Sequence, residues 1–346
     1  MNSAGIAGPH VSLEIGLGNV RTADWAPLLK QPAQWDVATV LAQALLDRVQ
    51  QTLDRSPTDV RPAMTELFDG LSALRASAPT EVWHGVMEQC KRHPVLGAIH
   101  QEPFTARTFN KPRGYAGDAV MIDYIYTRDC RNSEADAVTR LGEQLFAFIR
   151  DTPACAAVRA RRDIVAGALD EMCERVHRPR ILSVACGHLR EAGLSRAVRA
   201  NRAGEIVALD ADALSLQVIA TSEYGVNVKT VCNSIKGLFR GPVADEKFDF
   251  VYSTGLYDYL DERMATRLTH RMFDMLNPGG RLLVANFLPD IWCAGYMETF
   301  MDWKLVYRDA AQMNALASTI PAGQIKASRT FLERNNNIIF LELNKA

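Results

Sequence analysis

Arg180-Ile181-Leu182-Ser183-Val184-Ala185-Cys186-Gly187-His188-Leu189-Arg190, followed by Glu205-Ile206-Val207-Ala208-Leu209-Asp210, is the stretch whose reading decides the fold. The first run, Ile181 to Ala185, is apolar apart from one serine, which suits a parallel strand covered by helices on both faces. Cys186-Gly187-His188 then makes a turn. Small residues at Ala185 and Gly187 let the backbone approach a ligand, and a helix from about Leu189 offers unpaired N–H groups at its start. The second run ends in Asp210-Ala211, where a carboxylate at the carboxyl end of a strand can accept bonds from both hydroxyls of a ribose. Adenosine is the ligand this arrangement implies.

The turn is not a dinucleotide fingerprint. G-x-G-x-x-G brings backbone against a pyrophosphate, whereas Ala185 to Arg190 holds one glycine. An ordinary strand-to-helix connection is the alternative for the turn taken alone, but the same unit repeats downstream. Asn227 to Cys232 reads as a third strand running into Asn233-Ser234, and the Asn233 amide can bond a base. Lys247 to Gly255 is a fourth, breaking at the glycine into Leu256-Tyr257-Asp258-Tyr259-Leu260. Asp261 to Leu276 has helical apolar spacing at Met264, Leu268, Met272 and Met275 and stops at Asn277-Pro278-Gly279-Gly280. Arg281 to Phe287 is the fifth strand. Gln324–Leu332 and Asn337–Leu343 form a closing pair around the turn residues Arg334-Asn335-Asn336.

This succession of strand, turn, helix and acid resembles the class I S-adenosylmethionine-dependent methyltransferases. Their glycine-rich turn faces the methionine part of the cofactor, their acid holds the ribose, and Leu-Asn-Pro-Gly-Gly-x-Leu, here Leu276 to Leu282, is familiar among them. Ser183, Ala185 and Leu189 depart from the pattern, which usually runs from Asp or Glu into Gly-x-Gly-x-Gly. The resemblance implies a seven-stranded Rossmann-like sheet with S-adenosylmethionine as cofactor. Ala185, Gly187, Arg190, Asp210, Ala211, Asn233, Ser234, Thr254, Gly255 and Asp258 would line its site. Three further segments, Asn110 to Asp118, Ala185 to Glu191 and Gly255 to Leu260, look like the bacterial group typified by enzymes that form 3-hydroxypalmitic acid methyl ester. Azetidine-2-carboxylate synthases are also similar in organisation.

The residues before the sheet are helical in pattern. Trp35–Leu53, Val60–Leu74, Thr80–Cys90 and Ala135–Ile149 carry apolar stripes at helical spacing, which are core far more often than partner-binding surface. The expected division is an N-terminal helical or lid domain over 1–177 and a cofactor-binding domain over 178–346, with the helical part closing over the ligand. The first 30 residues, rich in Gly and Pro, are expected to form an arm or lid.

With 39 basic against 40 acidic residues there is no net field to draw in nucleic acid. Arg159-Ala160-Arg161-Arg162 reads as a solvated face. Seven cysteines without paired metal-ligand spacing fit reduced thiols in a cytoplasm, Cys173, Cys186 and Cys232 among them lying in apolar segments, and no metal site is expected. No stretch approaches the roughly 18 apolar residues that cross a bilayer, and Met1 to Asn19 lacks the charged head and apolar core of a leader.

A sulfonium cofactor is already electrophilic, so the protein has to exclude water, align a nucleophile and hold the positive sulfur. Tyr115 on the Arg113-Gly114-Tyr115-Ala116-Gly117 turn is expected either to cover the sulfonium or to pack the two halves together. Arg113 can pair with a carboxylate, with Lys111 and Arg190 as competitors. Asp118 is expected to hold its loop through turn hydrogen bonds. Tyr257 and Asn286 are the remaining catalytic candidates, and His188 can serve as a base or merely bond the backbone. Trp292, Tyr296 and Trp303 line an apolar pocket or pack the core. The expected activity is methyl transfer to a small carboxylic acid or amine of secondary metabolism or signalling. The alternative is a cyclase in which the cofactor's amino group attacks its own side chain and releases methylthioadenosine. A noncatalytic cofactor sensor is a third class.

Overall fold

The computed structural model describes residues 22, 25–29, 34–131 and 138–346. The arm or lid expected over the first 30 residues lies almost wholly outside them, as do residues 135–137 of the helix expected over Ala135–Ile149.

Seven strands form one sheet: β1 (Arg180–Val184), β2 (Glu205–Asp210), β3 (Asn227–Cys232), β4 (Phe248–Ser253), β5 (Leu276–Phe287), β6 (Ile325–Leu332) and β7 (Ile338–Lys345). Their order is β3-β2-β1-β4-β5-β7-β6. The first five run parallel, and β7 joins β5 antiparallel, with β6 antiparallel beyond it. The closing pair at one edge is therefore the hairpin expected from its sequence. Apolar runs explain the central positions: β1, β4 and β7 are buried along nearly their whole length, whereas β3 and β6, at the edges, alternate or face solvent.

The order reverses after β1, because β2 and β3 lie on one side of it and β4 and β5 on the other. Ligands of open α/β sheets bind at such a switch, outside the carboxyl ends of the strands. That edge carries the turn after β1, Asp210 after β2 and Asn233 after β3.

The helices used below are α1 (Gln34–Arg55), α2 (Arg61–Ser77), α3 (Thr80–Arg92), α4 (Pro103–Asn110), α5 (Ala119–Thr127), α6 (Arg140–Ile149) and α7 (Pro153–Arg175). They are followed by α8 (Arg190–Leu194), α9 (Glu262–Asp274) and α10 (Ala294–Phe300). Two compact units result. The sheet unit contains Asp118–Tyr126, Pro153–Ile291 and Leu305–Ala346, and the helical unit contains the described residues up to Gly117 together with those of Thr127–Thr152 and Trp292–Lys304.

Within the sheet unit, α9 stacks Ala265, Leu268, Met272 and Phe273 onto an apolar cluster that also holds Leu182, Val184, Val207, Val251, Val284 and Leu341. Each of the Leu, Val, Met and Phe side chains contributes about 1.5–3 kcal/mol by leaving water. Asp261 caps α9, accepting from the Met264 N–H at 2.7 Å. In the helical unit, Phe68 of α2 stacks on Tyr296 of α10 at 4.4 Å, and Tyr296 shares a hydrogen bond with Thr105 at 2.9 Å. Glu298 of α10 is buried and accepts from Trp83 and Arg75. Trp292 donates to Asp69, so the aromatic residues after β5 serve packing within this unit.

Three local readings are corrected. Asn277-Pro278-Gly279-Gly280 does not separate the helix from the strand; it lies inside β5 as a bulge. Phe248 pairs with Leu276 and Phe250 with Arg281, so four residues of β5 loop out opposite Asp249, with Gly279 supplying a φ of +75°. The helix expected after the first turn is only five residues long, because Ser195 ends α8 and caps the next short helix, Arg196–Arg199, by accepting from the Val198 N–H. Finally, Cys232 is exposed, since β3 is an edge strand.

Candidate cofactor site

The turn after β1 bends because three of its residues are left-handed: Ala185 at φ +53°, Gly187 at +53° and Leu189 at +52°. For Ala185 and Leu189 that conformation is strained and must be held by its surroundings. Hydrogen bonds from Cys186 N–H to the Leu209 carbonyl and from Leu189 N–H to the Cys186 carbonyl do part of this. At Gly187 a Cβ would come 3.3 Å from the Cβ of Ala119, so bulk as well as conformation favours glycine.

Asp210 closes the crevice between the first two strands. Its Oδ2 accepts from the Gly187 N–H at 2.8 Å and its Oδ1 from the Asp212 N–H at 2.9 Å. A carboxylate offers about four lone-pair directions, so each oxygen keeps capacity for one hydroxyl of a vicinal diol. Asn233 N–H bonds the Asp210 carbonyl, which ties the end of β3 to the end of β2. The Asn233 side chain lies against Gly237, where a Cβ would meet it at 2.6 Å. Ser234 is exposed and caps the short helical turn that follows. Ala185, Gly187, Asp210, Ala211, Asn233 and Ser234 thus gather along the β1–β2–β3 edge. Thr254 and Gly255, following β4, sit across the switch point from them.

Beside the turn, Asp123 of α5 receives two bonds from Arg190, at 2.9 and 2.6 Å, and one from His188 Nδ1 at 2.8 Å. Burial works to raise the Asp123 pKa, yet these bonds outweigh it and hold the carboxyl below its ordinary range. Arg190 is accordingly committed to Asp123. The residue is a lone acid in the apolar segment Val120 to Ile125, a signal that sequence reasoning passed over.

Arg161 is the second missed residue. It is 6% exposed, not part of a solvated face. On α7 it continues the buried stripe of Ala157, Val158, Val165 and Leu169 at helical spacing, so the periodicity itself placed it inward. Its charge acts on Tyr126, Glu191 and Asp258, and its Nη2 lies 3.9 Å from where a Cβ on Gly255 would be. Arg162 lies over the Tyr126 ring, and Arg159 donates to the Ile125 carbonyl. Burial pushes up the pKa of Glu191, which accepts from Tyr252 at 2.8 Å.

The β4–β5 edge is organised differently. Arg308, 1% exposed, donates to the carbonyls of Tyr257 and Leu260 and to Asn286 Oδ1, at 2.8, 2.6 and 2.8 Å. Asn286 spends both amide hydrogens on the carbonyls of Phe287 and Val306. Tyr257 lies in the apolar core and bonds Thr269 at 2.8 Å. Asn286 and Tyr257, both expected among the catalytic residues, have their polar groups engaged inside the fold. Asp258 is the exception: Oδ1 accepts from the Phe287 N–H at 2.7 Å, while Oδ2 has no hydrogen bond among the described residues. Burial raises its pKa to about 6, partly offset by that N–H and by the charges of Arg161 and Arg308.

Arg113 and Tyr115 belong to the helical unit, in the turn after α4, where Tyr115 is exposed. Lys111 there is paired with Asp302. Asp118 caps α5 by accepting from the Met121 N–H at 2.8 Å, as a loop-holding residue should. No cluster of metal-ligating side chains occurs among the described residues.

Residues 181–280 match a family model described as a methyltransferase domain. This segment is similar to a methyltransferase domain. Strands β1 to β4, the turn and Asp210 fall inside the matched residues or directly against them, and β6 and β7 lie beyond them. Among solved structures, a possible exported protein of Bordetella parapertussis is 19% identical, with 66% of this chain and 79% of that chain covered and a TM-score of 0.52. The magnesium protoporphyrin IX methyltransferase of Synechocystis PCC 6803 with bound S-adenosylhomocysteine is 13% identical, covering 66% of this chain and 100% of that one at a TM-score of 0.45. No curated protein matches the chain. Among the described residues no helix is long and apolar enough to cross a membrane.

Proposed function

We propose that the chain binds S-adenosylmethionine in the crevice between Ala185–Arg190 and Asp210 and transfers its methyl group to a small carboxylic acid or amine, with no nucleic acid as partner. The observation that carries this reading is the Asp210 carboxylate. It is fixed by two backbone N–H groups and keeps one acceptor direction on each oxygen, at the carboxyl end of β2 beside the switch point. A ribose held there, with its base toward Asn233, sends the sulfonium arm across β1 toward Thr254, Gly255 and Asp258. Arg161 supplies a buried positive charge on that side for a carboxylate. Arg113 and Tyr115 are proposed to bind the cofactor's carboxylate and sulfonium. The seven free thiols are in keeping with a cytoplasmic setting.

Incubation with S-adenosylmethionine, alone and with panels of acids and amines, followed by mass analysis of the adenosine products, tests the reading. Acceptor-dependent S-adenosylhomocysteine is the expected product. Methylthioadenosine formed without an acceptor, beyond spontaneous breakdown, would replace methyl transfer with the intramolecular cyclisation. Binding without turnover across the panels would favour a sensor.

A further inference from the structure

His188 is held more firmly than a turn residue needs to be. Its Nδ1 bonds the Asp123 carboxylate at 2.8 Å, and that carboxylate is itself clamped by Arg190 through two bonds. The carboxylate can only accept, so Nδ1 is the donor of this pair, and in that tautomer Nε2 is an acceptor. Nε2 is buried and has no hydrogen-bond partner among the described residues, in a side chain that is 4% exposed. Buried polar atoms are nearly always satisfied, so an orphan on a ring whose orientation is fixed by two charged residues calls for an explanation. Gln50 Oε1 and Arg281 Nε, which likewise have none among the described residues, lie outside the turn and the strand ends that face the crevice.

Position supplies the explanation. With the ribose on Asp210 at the end of β2 and the base toward β3, the 5′ arm of an adenosyl ligand must cross the end of β1, and His188 is in the turn at that end. The arm of S-adenosylmethionine ends in an α-ammonium, a donor with three hydrogens and no acceptor. Glu191, the next carboxylate along the turn, already accepts from Tyr252. The geometry points to His188 Nε2 as the hydrogen-bond acceptor for the cofactor's α-ammonium, which makes the Asp123–His188 pair the device that selects adenosyl compounds carrying an amino-acid arm. This rests on the cofactor reading above. Asp123 and Arg190 act through His188 as positioning residues.

Calorimetric titration with S-adenosylhomocysteine and with 5′-methylthioadenosine, which lacks the amino-acid arm, separates the two assignments. His188→Asn keeps a group at Nδ1 and removes the one at Nε2, whereas His188→Gln places an amide oxygen near Nε2. We expect His188→Asn to bind S-adenosylhomocysteine about tenfold or more weakly, to leave methylthioadenosine affinity unchanged, and His188→Gln to recover most of the loss. Unchanged discrimination in His188→Asn, or an equal loss for both ligands, overturns the proposal while leaving the adenosyl site standing. Should that variant not fold, the imidazole 15N spectrum of the wild-type protein decides. Nε2 is expected to shift with S-adenosylhomocysteine and not with methylthioadenosine, and an unmoved signal overturns the assignment. Failure of the wild type to bind either compound removes the cofactor reading and this inference with it.

Discussion

The two halves of the sheet's carboxyl edge spend their polar groups in opposite ways. At the β1–β2 end, Asp210 keeps acceptor capacity on both oxygens and His188 Nε2 bonds nothing among the described residues, although both residues are buried. At the β4–β5 end, Arg308, Asn286 and Tyr257 are equally buried, but they bond one another and the surrounding carbonyls. The first arrangement is costly unless a ligand completes it, and the second is complete without one. Burial of polar residues therefore does not by itself mark a site; unspent bonding capacity does.

The largest effect that can break this comparison lies at the closed end. Arg308→Met removes the donor shared by two loop carbonyls and Asn286, and should lower unfolding stability by about 3 kcal/mol or more in denaturant titrations. S-adenosylhomocysteine affinity of the folded fraction should change little. A collapse of affinity with intact stability would mean the closed end is part of the binding machinery after all.

Asp258 gives a pH signature of similar size. Its folded pKa, about 6, lies above the ordinary 3.8, so burial of the charged form opposes folding. That opposition is absent below pH 4, grows between about 4 and 6, and is complete above, where it amounts to about 3 kcal/mol. Asp258→Asn should therefore flatten this part of the stability–pH curve and be the more stable protein at pH 7. Parallel curves for variant and wild type would show that the carboxyl is not buried as described.

Smaller effects sharpen the contrast. Gly187→Ala forces a left-handed alanine with its Cβ against Ala119, and should cost about 1 kcal/mol of stability together with a severalfold loss of S-adenosylhomocysteine affinity. Tyr257→Phe removes one buried hydrogen bond to Thr269 and should also cost about 1 kcal/mol, with no change in affinity. Thermal melts paired with calorimetry on both variants check whether affinity moves only at the open end.

Much of the open end was legible in the sequence, because strand periodicity and strand-end position fix where Asp210, Gly187 and Asn233 must lie. The closed end was not. Tyr257 and Asn286 also follow strands, but whether a polar side chain there faces a ligand or the protein depends on Arg308, which comes from an irregular segment with no periodicity to place it. Arg161 was legible in principle, since it repeats the spacing of Val158 and Val165, but its charge and its basic neighbours pointed outward. The bulge in β5 was hidden for a different reason: Pro-Gly-Gly reads locally as a terminator, and only pairing with β4 on both sides makes it part of a strand.

Asp210 is the residue on which cofactor binding turns. Titrating S-adenosylhomocysteine into the wild-type protein and into Asp210→Ala by calorimetry should give saturable one-to-one binding in the first and a loss of about 100-fold or more in the second, the effect of removing two charge-assisted hydrogen bonds. Equal affinity in both proteins, or no heat of binding in the wild type, would contradict it.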